Sequence, residues 1–207
     1  MVGTIALAGG GPFSANDELD GRLLAAVGAD RVVVLPTADA FEEPAKLVAT
    51  AKSWGERLGV AVEALMVLQR HDAEDAAAAD AVRAAGAVWL VGDSSQHLRS
   101  VLKDTPVYAA IEEVLAAGGL VAAVGSSAAA LCDPMLDQRG GAFTLGLGLV
   151  RGVAVIPQAE DWSEERRTRT LSLADTPVVE LSTGSALLRS ATGWELVGSA
   201  VVHGDLP

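Results

Sequence analysis

The chain has 207 residues, half of them hydrophobic, 20% charged and only 4% aromatic. That apolar content suffices for a packed core and excludes a disordered tail or a collagen-like fibre. Fifteen Lys and Arg stand against 27 Asp and Glu, a net charge of −12 that repels phosphate backbones and anionic membranes and argues against nucleic acid as a partner.

The one cysteine, Cys132, cannot form an internal disulfide or a thiolate metal site, and neither a metal nor another cofactor is expected. No N-terminal stretch combines basic, apolar and cleavable parts, and no apolar run approaches the ~20 residues of a bilayer span. A cytoplasmic location and a single domain over residues 1–207 are the expectations.

In chain order, short apolar runs alternate with longer alanine-rich stretches. Strands are predicted at Gly3–Ala8, Arg31–Leu35, Val60–Val67, Ala87–Val91, Leu120–Val124 and Gly152–Ile156. Their continuous apolarity is that of parallel strands covered on both faces. Helices are predicted at Leu19–Val27, Pro44–Leu58, Ala73–Ala85, Ser95–Leu102 and Thr105–Ala117, several closed by a glycine (Gly28, Gly59, Gly86, Gly118). The alternation implies an α/β fold, a doubly wound parallel sheet flanked by helices on both faces. Pro177–Leu181, Ala186–Ser190 and Trp194–Val202, separated by Thr183-Gly184 and Thr192-Gly193, read as a closing antiparallel β-hairpin.

Ligands of such sheets bind at the carboxyl ends of the strands, where the informative loops fall. Gly9-Gly10-Gly11-Pro12 follows the first strand, without the spacing of a dinucleotide site or a Walker lysine, and reads as a tight turn. Gly125-Ser126-Ser127-Ala128-Ala129 follows the fifth. A glycine, a serine two residues later and small residues opening a helix suit a nucleophile elbow, with Ser127 as nucleophile and Ala129 where the usual pattern has glycine. A small-residue turn that lets the helix pack closely on the sheet is the alternative.

The order of these pieces resembles the serine peptidases that include aspartyl dipeptidase (peptidase E) and cyanophycinase, on the class I glutamine amidotransferase-like fold. The likeness runs through Leu7-Ala8-Gly9-Gly10-Gly11, Val34-Leu35-Pro36-Thr37-Ala38, Trp89-Leu90-Val91-Gly92 leading to Gln96, Gly125 to Ala128, Leu145-Gly146-Leu147-Gly148-Leu149 and Ser185-Ala186-Leu187-Leu188. The resemblance implies that Ser127 attacks an amide carbonyl, that Asp137 or Asp133 orients a histidine, and that Gly92, Asp93 and Ala128 supply an oxyanion hole. Gly10, Gln96, His97 and Arg166 are expected around a small peptide or amide, in a monomer or homodimer, His97 by its place in the helix after Gly92.

One departure bears on activity. At the family's histidine position the chain reads Ile156-Pro157-Gln158-Ala159. A glutamine amide is not basic and cannot take the serine proton, so the general-base contribution of roughly 10² to 10⁴ in rate is absent. Asp93 also stands where a second glycine is common in the oxyanion loop. His97, one turn into the helix after Gly92, is the histidine placed to substitute; Cys132 is expected to face the core. Two readings result: a serine peptidase-like hydrolase with an incomplete triad, or an inactive homologue that binds a small ligand or a partner protein. A glutamine amidotransferase module ranks behind both, since that chemistry uses a thiolate where the elbow carries serine.

Overall fold

The computed structural model describes residues 3–207. The first half alternates as expected: β1 (Thr4–Ala8), α1 (Asp17–Val27), β2 (Arg31–Leu35), α2 (Pro44–Leu58), β3 (Ala61–Ala64), α3 (Arg70–Ala73), α4 (Ala76–Ala85), β4 (Ala87–Leu90), α5 (Ser95–Leu102), α6 (Pro106–Ala116) and β5 (Leu120–Val124). The second half is α7 (Ser126–Leu131), the short strands β6 (Cys132–Asp133), β7 (Met135–Asp137), β8 (Ala142–Thr144) and β9 (Val150–Arg151), then β10 (Ala154–Pro157), α8 (Glu164–Ser172), β11 (Val178–Leu181), β12 (Ala186–Ser190), β13 (Gly193–Val197) and β14 (Val201–His203).

The central sheet has the order β13-β12-β1-β5-β4-β2-β3. Its five N-terminal strands are parallel, and β12 and β13 extend it as an antiparallel hairpin beside β1. Strands β1, β2, β4 and β5 are buried along nearly their whole length, because helices cover both faces. On one face Trp54 of α2 packs against Phe13 and Trp89, each ring pair 5.2 Å apart, and its indole N–H donates to the buried Asp20 carboxylate of α1 at 3.1 Å. On the other face α4, α6 and α7 close the larger core.

Several expectations need correction. The predicted sixth parallel strand, β10, leaves the central sheet and pairs parallel with β11, which pairs antiparallel with β14. The run Pro177–Leu181 therefore belongs to a separate three-stranded sheet, and the closing hairpin is β12 with β13. Trp194–Val202 is not one strand, because Gly198 turns the chain at φ +69° between β13 and β14. The helix expected over Ala73–Ala85 is broken by Asp75, whose side chain accepts the Ala77 N–H and starts α4 afresh. Strand β3, at the sheet edge, is four residues long instead of eight.

Candidate functional site

Strand β5 delivers the chain to the elbow. Its last residue, Val124, is followed by Gly125 at φ +63°, ψ −131°, and α7 begins at the next residue. A strand, one residue with positive φ and an immediate helix is the backbone of a nucleophile elbow, whose central residue is aimed out of the sheet. Here that residue is Gly125. A Cβ built on it would point into space, its nearest neighbour the Gln158 side-chain oxygen at 4.0 Å.

Ser127 lies elsewhere than the sequence reading expected. It is the second residue of α7, fully buried, and its hydroxyl donates to the Gly92 carbonyl at 3.2 Å. The expected oxyanion donor Ala128 is occupied too, since its N–H donates to the Gly125 carbonyl at 2.9 Å. Cys132 closes α7 in the core, and burial pushes its thiol up to about 12, far from a thiolate at neutral pH.

Gln158 follows β10 in the left-handed region, at φ 50° and ψ 45°, uncommon for a residue other than glycine. Its N–H donates to the Gly9 carbonyl at 3.0 Å, which anchors it to the loop after β1. Gly10 is the second half of that fit: a Cβ there would meet the Gln158 Cγ at 3.0 Å and the Thr183 hydroxyl at 2.8 Å. The glycine loop thus clears room for the Gln158 side chain. Two residues on, Glu160 accepts the Thr183 N–H at 2.9 Å, and hydrogen bonds from Thr183 and Ser182 hold its carboxyl below the usual range against a desolvation that raises it.

The remaining predicted residues divide between a cavity and structural contacts. Asp93, Gln96 and Asp137 meet in a cavity of about 360 Å³, together with Phe41, Gln138 and Arg139. Asp137 accepts the Arg139 N–H at 3.0 Å inside its own turn. Asp133 accepts the Gly146 N–H at 3.4 Å, across the segment that leads into β9. Nearby, burial and the charges of Asp93 and Glu42 push the Asp39 carboxyl upward. His97 donates from Nε2 to the Leu68 carbonyl at 2.8 Å and stacks edge-on with Phe41 at 4.6 Å, so that nitrogen is not a free base. Arg166 donates to the Gln138 carbonyl while its guanidinium covers the Trp162 ring at 3.6 Å. Gln138 in turn accepts the Ser126 hydroxyl at 2.8 Å. This chain of contacts straps the β7–β8 turn over the residue that follows Gly125, a role the sequence reading did not assign to Ser126 or Gln138.

Gly125 was legible in principle. Ala123 and Ser127 are small residues two positions either side of it, so the small-residue pattern fits around Gly125 as well as around Ser127. The strand end at Val124 distinguishes the two registers, because the elbow's central residue follows its strand directly.

Comparison with known proteins agrees with this architecture. No curated protein sequence matches the chain. A peptidase from an acI-B1 Actinobacterium is similar in structure, with a TM-score of 0.84 and 26% identity over 98% of this chain and 90% of that one. A putative peptidase E protein from Listeria monocytogenes EGD-e has a TM-score of 0.70 and 18% identity over 98% of each chain, a likeness of fold. The profile of peptidase family S51 matches residues 5–197, nearly the whole chain, and with the peptidase-type hydrolase framework described above the protein belongs to peptidase family S51.

Proposed function

We propose that this member of family S51 binds a small peptide or amide at the carboxyl end of its sheet without hydrolysing it by the serine–histidine route. The observation that carries the reading is the pair facing one another at the elbow, Gly125 and Gln158. Acyl transfer by this route needs a hydroxyl or thiol at the first position and an imidazole at the second. A glycine has no nucleophile, and a carboxamide has no basic lone pair near neutral pH.

The surrounding framework supports retained binding. The turn after β4 and the β7–β8 turn that carries Gln138 both line the cavity that Asp93, Gln96 and Asp137 share, and the Gly9–Gly11 loop holds Gln158 through the Gly9 carbonyl. The lone buried cysteine suits a reducing, cytoplasmic setting. A hydrolytic reading through Ser127 requires that hydroxyl to abandon the Gly92 carbonyl and leave a fully buried position.

The test is to incubate the purified protein with a mixed dipeptide pool and follow both released amino groups and bound species, the latter by native mass spectrometry. Retention of a dipeptide with no release of amines above a no-protein control is the expected result. Amine release that disappears in Ser127→Ala overturns the reading.

A further inference from the structure

We infer that Gly125 occupies the seat of the missing nucleophile, and that this seat is an open position from which a side chain at residue 125 would reach residue 158. The inference deepens the non-hydrolytic reading and rests on it. It adds where the lost group belongs.

Three observations locate the seat. First, the elbow's positive φ falls on Gly125 and not on Ser127, which has helical neighbours on both sides. Second, the Cβ direction at Gly125 meets no atom closer than 4.0 Å, and the atom at that distance is the Gln158 Oε1. A hydroxyl one bond beyond such a Cβ comes within hydrogen-bond reach of the residue-158 side chain. Third, other glycines of the loops around it lack this freedom. A Cβ at Gly9 would run into the Ser182 carbonyl, and one at Gly92 into the backbone of Asp39. Those two are glycine because backbone passes against them. Gly125 is glycine with space above it.

The conformation explains why glycine is a stable replacement. A positive φ with ψ near −130° is strained for any residue with a Cβ, and an elbow tolerates that strain when the side chain does chemistry. Once residue 158 can no longer act as a base, glycine removes the strain and leaves the fold unchanged.

Two sets of variants test the seat. In Gly125→Cys the only other cysteine is the fully buried Cys132. Iodoacetamide should therefore add one carbamidomethyl group to the folded protein. The thiolate sulfur attacks the CH₂ carbon, an S–C bond forms, the C–I bond breaks, iodide leaves and the thiol proton passes to solvent. Peptide mapping should find the adduct at residue 125, while wild type remains unmodified. A folded variant that resists alkylation contradicts an open seat.

In the second set, Gly125→Ser is compared with Gly125→Ser/Gln158→His using a fluorophosphonate. The serine oxygen bonds to phosphorus, the P–F bond breaks, fluoride leaves and the hydroxyl proton goes to the imidazole. The double variant should label at residue 125 at least about 10²-fold faster than the single one, the lower end of a general-base contribution. Equal rates, or an adduct on Ser127, overturn the inference. Failure of the non-hydrolytic reading would appear separately, as labelling or turnover in the wild type.

Discussion

The Ser127 hydroxyl and the Gly92 carbonyl are joined at 3.2 Å across 35 residues of sequence, tying the start of α7 to the end of β4. The bond lies in the buried interior, where an unmet carbonyl lone pair is more costly than at the surface. Its role is to hold two loops together. Ser127→Ala should therefore lower stability by about 1 kcal/mol in urea denaturation and leave bound dipeptide unchanged. A loss of turnover in this variant with stability intact would assign the hydroxyl to chemistry instead.

Gly125→Ala isolates the strain of the elbow from its chemistry. The nearest neighbour of the added Cβ is the Gln158 side-chain oxygen at 4.0 Å, an ordinary contact, so the penalty comes from backbone conformation alone, about 1–3 kcal/mol. For a chain of this length that is a fall in Tm of roughly 2–4 °C for each kcal/mol. A melting temperature equal to wild type would show that the backbone relaxes out of the positive-φ turn.

The buried Asp20 gives stability a pH dependence. Burial pushes its carboxyl from the ordinary 3.8 up to about 7, the Asp17 charge adds to the rise, and the hydrogen bond from Trp54 opposes it. Above pH 4 the unfolded chain has lost this proton while the folded chain still holds it, so folding takes up a proton. The contribution is complete below pH 4 and declines as pH rises to 7, with a slope of up to about 1.4 kcal/mol per unit. Asp20→Asn keeps an acceptor for Trp54 and removes the titration. Denaturation curves at pH 4.5, 6 and 7.5 should converge in the variant relative to wild type; parallel curves would show that Asp20 is ionised throughout.

How far the sequence was legible follows from which forces act locally. Apolar runs such as Arg31–Leu35 and Leu120–Val124 match their strands residue for residue, because a strand covered on both faces leaves a continuous signal. Glycine closure placed the ends of α1, α2 and α4. The departure of β10 from the central sheet left no comparable mark, since its four residues are as buried beside β11 as they would be beside β1. At the site, Gln158 stands out through the family resemblance, which expects a histidine at the end of this strand, and the structure puts Gln158 directly after β10. At the elbow the small-residue pattern fits around Gly125 as well as around Ser127, and only the backbone shows that the positive φ falls on Gly125, directly after its strand.

Glu180 tests the second sheet. Its buried carboxylate accepts from His203 at 2.8 Å and from Arg167 at 3.3 Å, linking β11 to β14 and to α8. Both partners are more than a third exposed and can rehydrate, so Glu180→Gln should lose about 1–2 kcal/mol, less than a fully buried pair. The loss should be measured by urea denaturation with the cavity around Asp93 still able to bind dipeptide. Loss of binding in a folded variant would connect this sheet to the site.

Intact-mass analysis of the wild-type protein after prolonged exposure to a fluorophosphonate tests the central claim most directly. With Gly125 facing Gln158 and the Ser127 hydroxyl held by Gly92, the account predicts an unmodified mass. A single stoichiometric adduct mapping to Ser127 would contradict it.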